Sequence, residues 1–387
     1  MITDYTHLGS FSDWVAAADQ KRKLFPVAAP GPETRQKLRD VLGFCGGPEA
    51  PLSVRVERAW EKDGLAGEEI SWWVGYGPRT HAYVLRPARV SAPLPGLVAL
   101  HDHGGFKWFG KEKIADGPEE PLPVVVDFRA SAYGGRAYAN ALAKQGFTVL
   151  IHDTFLWGSR RFPWQEIPEG LRTLTETVMK SWQPDGVTPP EIRAYNEAAA
   201  HHELWIEKYC ALLGATMAGV VCFEDRVALN YLRSRPDVLP DRVGCLGLSG
   251  GGNRSALLLA THDGIRAAAI VGLMSTYASL LDHNIMSHTW MFFPHGWARV
   301  GDWPDIAASR AAQAPALPLL VQYDSDDELF TQEGMHHAHE RIAGHYQCGG
   351  SAAAYTGQFY PGPHKFDLEM QAAAFAWLEQ QLGALDR

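Results

Sequence analysis

The stretch Val243-Gly244-Cys245-Leu246-Gly247-Leu248-Ser249-Gly250-Gly251-Gly252 constrains the fold of this chain more than any other. An apolar run leaves a turn at Pro240-Asp241-Arg242, reaches a serine set among glycines, and passes straight into the helical pattern Asn253–Ala260. This is a G-x-S-x-G elbow in the context it requires: strand, sharp turn, helix. A serine in so tight a turn tolerates no bulky neighbour two positions to either side, because a Cβ there would meet the strand or the helix. The turn holds the hydroxyl clear of the sheet and leaves the following backbone N–H aimed at the same space. Ser249 is therefore a candidate nucleophile. The bland alternative is a Gly-rich turn, and the rest of the chain has to decide between the two.

Short apolar runs recur at Gly96–Leu100, Phe147–Ile151, Ala267–Gly272 and Pro318–Tyr323. Each suits a strand buried on both faces. Before them, Ser53–Trp60, Ile70–Val74 and Thr80–Arg86 alternate with period two, as antiparallel strands opening a sheet do. Helical patterns fall between the strands, at Ala137–Gly146, at Ala199–Arg233 with a break near Gly214, at Glu333–Ala343 and at Leu368–Leu382. A last strand is expected within Ser351–Phe359. This alternation predicts an α/β fold with a mostly parallel central sheet and helices on both faces. Helical patches at Phe11–Ala18 and Glu33–Leu42, set off by Gly-Pro breaks, predict an N-terminal helical extension over residues 1–50 before a single domain over 51–387. Residues 154–200 and 274–305 have no dominant period and follow predicted strand ends. In a parallel sheet ligands bind there, so these insertions are expected to form the pocket walls or a lid.

Composition narrows the partners. Hydrophobic residues make up 46% and charged residues 20% of 387, which supports a sizeable core and not a disordered chain. The formal charge is −9 and the basic residues cluster only at Lys21-Arg22-Lys23, so nucleic acid and anionic membranes are poor partners. Cysteines 45, 210, 222, 245 and 348 follow no metal or disulfide spacing, and Cys222 and Cys245 read as buried thiols. The start, Met1 to His7, lacks the profile of a signal peptide, and no apolar run approaches membrane-spanning length. A cytoplasmic protein without cofactor or metal is expected. His336 with Glu340, or His201 with His202, have ligand-like spacing but belong to no closed cluster. Whether the chain forms a homo-oligomer is not legible.

A serine needs a histidine to take its proton and a carboxylate to orient that histidine. On an elbow of this kind they follow in the order acid, then histidine. The acids in Tyr323-Asp324-Ser325-Asp326-Asp327-Glu328 lie just past a strand, and composition does not separate them. His364, in Pro361-Gly362-Pro363-His364, is the last histidine of the chain and lies between a strand and the final helix. His336, His337 and His339 lie within a helix, on a face expected to be solvated. An oxyanion needs two backbone donors. Gly250 N–H is one, and the second is expected from the loop His101-Asp102-His103-Gly104-Gly105-Phe106. Lys107 and Lys111 are not needed for that role and read as surface or substrate contacts. Thirteen tryptophans include Trp157, Trp164, Trp182, Trp290, Trp297 and Trp303 in irregular regions, which predicts an aromatic cleft. Trp157, Trp290, His295 and Trp297 are expected nearest the scissile group, although the same rings could simply pack long loops.

With elbow, acid loop and histidine in this order, the sequence resembles the α/β-hydrolase superfamily over roughly residues 52–384, and most closely its dienelactone hydrolase and acetyl xylan esterase-like branch. Asp225-Arg226 in the helix before the elbow and Leu232–Val243 share in the likeness. The resemblance implies that Asp327 is the triad acid, with Asp326 in reserve and Asp324 where relatives carry glycine. It also implies that His103 N–H is the second oxyanion donor, with Asp102 in place of the usual glycine. Dienelactone hydrolases use a cysteine nucleophile where this chain has Ser249. The resemblance therefore implies a serine esterase acting through an acyl-enzyme on a small or carbohydrate-linked ester, with a lactone hydrolase, or less so a peptidase or amidase, as the alternative.

Overall fold

The computed structural model describes residues 5–44 and 46–383. The readings that fall on Met1–Asp4 and on Cys45 lie outside the described residues. Among the described residues nine strands form one sheet: β1 Leu52–Lys62, β2 Leu65–Trp73, β3 Thr80–Pro87, β4 Leu94–Leu100, β5 Thr148–His152, β6 Val238–Leu248, β7 Ala267–Val271, β8 Leu319–Asp324 and β9 Tyr355–Tyr360. Their order is β1-β2-β3-β5-β4-β6-β7-β8-β9. The first three run antiparallel and β3 meets β5 antiparallel, while every pairing from β5 through β9 is parallel.

The helices are α1 Asp13–Arg22, α2 Pro32–Leu42, α3 Pro123–Ala132, α4 Tyr138–Lys144, α5 Glu169–Met179, α6 Pro190–Leu212, α7 Met217–Ser234, α8 Gly250–Thr261, α9 Tyr277–Leu280, α10 Trp303–Ala307, α11 Gln332–Cys348 and α12 Leu368–Leu382. Two apolar cores flank the sheet because the central strands alternate between them. Val98 and Leu100 of β4, Val243 and Cys245 of β6, and Ala268 and Ile270 of β7 face the core that includes residues of α2, α7, α8 and α10. Leu97, Ala99, Leu246, Leu248, Ala267, Ala269 and Val271 face the core shared with α4 and α12. Burial on both sides is why these strands read as unbroken apolar runs. Each fully buried Leu, Ile or Val contributes roughly 1.5–3 kcal/mol relative to exposure.

Several expectations shift in the structure. The turn at Pro240–Arg242 lies inside β6: Leu239 pairs with Pro95 and Val243 with Gly96, so the exposed residues between them bulge out of one strand. The long helix becomes α6 and α7, bent by 87° across Gly214 at φ 68°. Thr216 caps α7 by accepting the Gly219 N–H. Helix α6 begins at Pro190, well before Ala199, and α5 lies within the run expected to be irregular. Helix α3 is not expected from the sequence pattern, although Pro123 at its first turn is a start signal. The β-branched run Val124–Val126 masks it.

Among the described residues no single helix is long and apolar enough to cross a membrane. Cys210, Cys222 and Cys245 are buried free thiols and Cys348 is exposed.

Candidate active site

Ser249 follows β6 directly and caps α8 with φ 57° and ψ −119°, a region L-residues rarely occupy. The surrounding structure imposes that conformation. Ser249 N–H donates to Val271 O at 2.8 Å, and Asn253 N–H donates to Ser249 O at 2.9 Å. A Cβ at Gly247 would lie 2.5 Å from Leu100 O, and one at Gly251 would lie 2.1 Å from the same oxygen. Only glycine lets the elbow close against β4.

The acid and the histidine come from adjacent strand ends. Asp327 follows β8 and His364 follows β9, and His364 Nδ1 donates to Asp327 Oδ2 at 2.6 Å. Asp327 Oδ1 accepts the Leu329 N–H at 2.9 Å, so the carboxylate is held at both oxygens. Asp326 turns elsewhere. Its Oδ2 accepts the Gly362 N–H at 2.7 Å, and its own N–H donates to Gly362 O at 3.1 Å, which pins the loop that carries His364. The imidazole packs over Gly272, where a Cβ would sit 3.2 Å from His364 Cε1. Burial disfavours charge on the ring, but the hydrogen bond and charge of Asp327, helped by Asp324 and Asp102, outweigh it and hold His364 above an ordinary histidine.

Ser249, Gly250, His103 and His364 line one cavity of 370 Å³. His103 packs directly on the elbow, since a Cβ at Gly250 would lie 2.6 Å from His103 N. The Gly250 amide heads α8, where the first N–H groups have no intrahelical acceptor. His103 N thus lies close beside the head of α8, and both residues line the cavity.

The loop carrying His103 is held by buried polar clusters that sequence reasoning missed. Asp102 is buried and accepts from Tyr133 Oη and from Lys113 Nζ at 3.1 Å, while Lys113 also donates to the His103 carbonyl at 3.2 Å. Arg254 of α8 donates to His101 O at 3.1 Å and to Asp225 Oδ1 at 2.6 Å, and Asp225 is also 2.8 Å from His152 Nε2. Glu203 of α6 faces His103 Nε2 at 3.0 Å, Lys107 Nζ at 2.5 Å, Thr289 Oγ1 at 2.5 Å and Trp290 N at 2.8 Å. Gly105 N–H donates to His103 Nδ1 at 3.0 Å, which fixes the ring from its other side. Burial opposes charge on Glu203, yet Lys107 and His103 keep its carboxyl well below the usual range. A signal was present: Glu203 stands four residues from Ala199 and from Glu207, on the stripe of α6 that faces inward.

Not all the expected wall residues reach the cavity. Run 274–305 supplies Ser287, His288, Thr289 and Phe292. The other wall comes from Gly104, Gly105, Phe128, Ser131 and Ala132, not from residues 154–200, which line an adjoining groove with Trp182 and Asn196. Trp297 is fully buried and Trp157 is 1% exposed. Trp157 packs edge-on against His103 and donates from Nε1 to the His103 carbonyl at 3.3 Å. Trp290 is half-buried outside the cavity, and His295 turns away to pair with Glu207 at 2.8 Å and line a separate surface pocket. Lys107 and Lys111, expected as surface or substrate contacts, are both buried in ion pairs, with Glu203 and Asp153. Trp157, Lys107 and Lys111 turn inward because their polar ends find buried partners, which residue spacing does not reveal, whereas Trp297 is buried with its indole N–H unpartnered among the described residues.

Oxygens of Asp324 and Asp327 and a ring nitrogen of His364 lie within 4.8 Å of one another, but His364 Nδ1 is hydrogen-bonded to Asp327 and Asp324 Oδ2 accepts the Lys365 N–H. A metal on Nδ1 of His364 would have to displace its bond to Asp327. His336 stacks on Phe359, with ring centroids 4.6 Å apart.

No family model matches the chain. A curated protein of Bacillus subtilis (strain 168), YtaP, whose name assigns it to the hydrolases only provisionally, is 24% identical over 329 residues, covering 84% of this chain and 90% of that protein. Among solved structures, one from Bacteroides fragilis NCTC 9343, provisionally named an acetyl xylan esterase, superposes with a TM-score of 0.59 at 15% identity, over 85% of this chain and 73% of the other. A glucuronoyl esterase from Solibacter usitatus gives 0.59 at 12% identity, over 90% and 91%. Sheet order, elbow and these superpositions agree. The chain has the α/β-hydrolase fold. In that fold the ends of β4, β6, β8 and β9 meet on one side of the sheet, which is why loops from four distant parts of the sequence share the cavity.

Proposed function

We propose that this α/β-hydrolase is a serine carboxylic-ester hydrolase acting through an acyl-enzyme on a small or carbohydrate-linked ester. One observation carries the reading: the strained elbow serine and a histidine anchored on a buried aspartate open onto a single cavity beside two adjoining backbone amides. Ser249 Oγ attacks the acyl carbon while His364 Nε2 takes its proton and Asp327 stabilises the imidazolium. The carbonyl oxygen, now negative, accepts from the Gly250 and His103 amides. His364 returns the proton to the departing alcohol, then takes one from the water that cleaves the acyl-serine. His364 must be neutral to begin, so turnover rises as pH rises through its elevated pKa.

Leu273, Phe292 and Phe330 give the cavity an apolar side, while Ser131, Ser287 and Thr289 are polar residues of its lining. A partly polar lining suits a polyhydroxylated substrate, and the names of the acetyl xylan and glucuronoyl esterases support a sugar in either the alcohol or the acyl part. In this reading residues 1–50 are a helical extension on a catalytic domain spanning 51–387. The test is a panel of chromogenic and sugar esters varied separately in acyl and alcohol parts, with mass spectrometry after a fluorophosphonate probe. A covalent adduct on Ser249 and turnover of at least one ester class are expected. Absence of both overturns the reading.

A further inference from the structure

Asp324, the last residue of β8, stands beside the His364–Asp327 pair and has no part in the mechanism above. Its side chain is fully buried. Oδ2 accepts the Lys365 N–H at 3.1 Å, the peptide immediately after His364. Oδ1 has no hydrogen-bond partner among the described residues. A Cβ on Gly272 would lie 3.1 Å from Asp324 Oδ2 and 3.2 Å from His364 Cε1, so both side chains close over the same glycine. Oxygens of both aspartates and a ring nitrogen of His364 fall within 4.8 Å of one another.

A buried carboxylate given one neutral donor, next to a second carboxylate, is badly placed to be an anion. Burial, with the charge of Asp327 added, lifts Asp324 to about 7 against the pull of the Lys365 amide and His364. The imidazole therefore faces two carboxyl groups that cannot titrate independently.

We infer that Asp324 is a positioning residue of the triad, fixing the peptide after His364 and setting, by holding or releasing its own proton, the pH above which His364 is free to act as a base. The inference rests on the serine-hydrolase reading. The sign follows from the proton count. Removing one proton from the fully protonated site gives either neutral His364 beside protonated Asp324, which is competent, or an Asp324 carboxylate beside an imidazolium, which is not. The second form withholds the base until a further proton leaves at higher pH. With an uncharged group at position 324 the site would titrate in one step, at lower pH. The other charged or titratable groups facing the ring stay in place: Asp327 beside it, Asp102 from the loop after β4, His288 from the wall, and Lys365 next in the chain.

The experiment follows the rate at which a fluorophosphonate labels Ser249 as a function of pH, in the full chain and in Asp324→Asn, whose amide oxygen can still accept the Lys365 N–H. The acid limb is expected to move down by roughly half a pH unit or more in the variant. A limb at the same pH overturns the inference. A parent chain that is never labelled instead overturns the serine-hydrolase reading, so the two failures are distinct. Should Asp324→Asn not fold, histidine-selective nitrogen NMR of the unaltered chain decides. A His364 titration in two coupled steps supports the inference, and a single isolated step overturns it.

Discussion

Ser249 shows how one residue couples strain to chemistry. Its backbone, at φ 57°, stores about 1–3 kcal/mol of strain. The pairing of β6 with β7 and the first turn of α8 impose it. Ser249→Ala removes no core volume, so the variant should melt within a few degrees of the parent while ester turnover falls by at least about 10³. Fluorophosphonate labelling that persists in this variant would show that another residue is attacked. The aspartates separate by partner. Asp327→Asn leaves His364 Nδ1 without its anion and should lower kcat by about 10³–10⁴. Asp326→Asn only loosens the loop at Gly362 and should cost far less. A larger loss at Asp326 would mean that the carboxylates exchange roles in solution.

At the scale of elements, the tryptophans divide between packing and the loop that carries His103. Trp297, on a short turn after the wall, is wholly buried, and Trp297→Ala should cost about 3–5 kcal/mol of stability with an unchanged preference among esters. Trp157 is also buried but bonds the His103 carbonyl, so Trp157→Ala should lower kcat as well as the melting temperature. Kinetics and melting curves on both variants check this. A changed substrate profile in Trp297→Ala would place that ring in the binding site after all. Helix α12 is a simpler case: Asp367 accepts from Glu369 N and Met370 N at 3.1 Å, and its replacement by Ala should cost about 1 kcal/mol.

Across the whole molecule, Glu203 joins parts that are remote in the chain. It links α6 to the loop bearing His103 and Lys107 and to the wall at Thr289 and Trp290. Glu203→Gln would strand the Lys107 ammonium, which is 2% exposed, and should cost about 3–5 kcal/mol. Adding Lys107→Met should recover much of that stability without restoring kcat, because His103 would still lack its anchor. Full recovery of both would show that Glu203 only balances charge. The carboxyl of Glu203 is depressed in the fold, so its contribution is present above the unfolded value of about 4.3 and is lost as pH falls through the folded one. On acidification the parent should therefore lose more stability than Glu203→Gln plus Lys107→Met, and melting curves across a pH series measure the difference.

Local pattern was enough for much of this architecture. The central strands read as strands because both faces of the sheet are apolar, and Leu368–Leu382 was legible residue for residue because its period matches a helix packed on one side. The elbow was legible because its glycines answer to contacts within a few residues and one neighbouring strand. Ser249 and His364 were candidates from order along the chain and Asp327 from the resemblance, but the opening of Ser249 and His364 onto one cavity depends on strand order, which no local signal encodes. The walls were harder still. Phe128 and Ser131 belong to a helix hidden by β-branched residues, while Trp157 and Trp297 read by sequence as cavity lining, and Lys107 and Lys111 as surface or substrate contacts, yet all four are buried in the fold. A buried lysine is paid for by a carboxylate 96 residues away, as Lys107 is by Glu203, and only the tertiary structure decides that such a partner arrives.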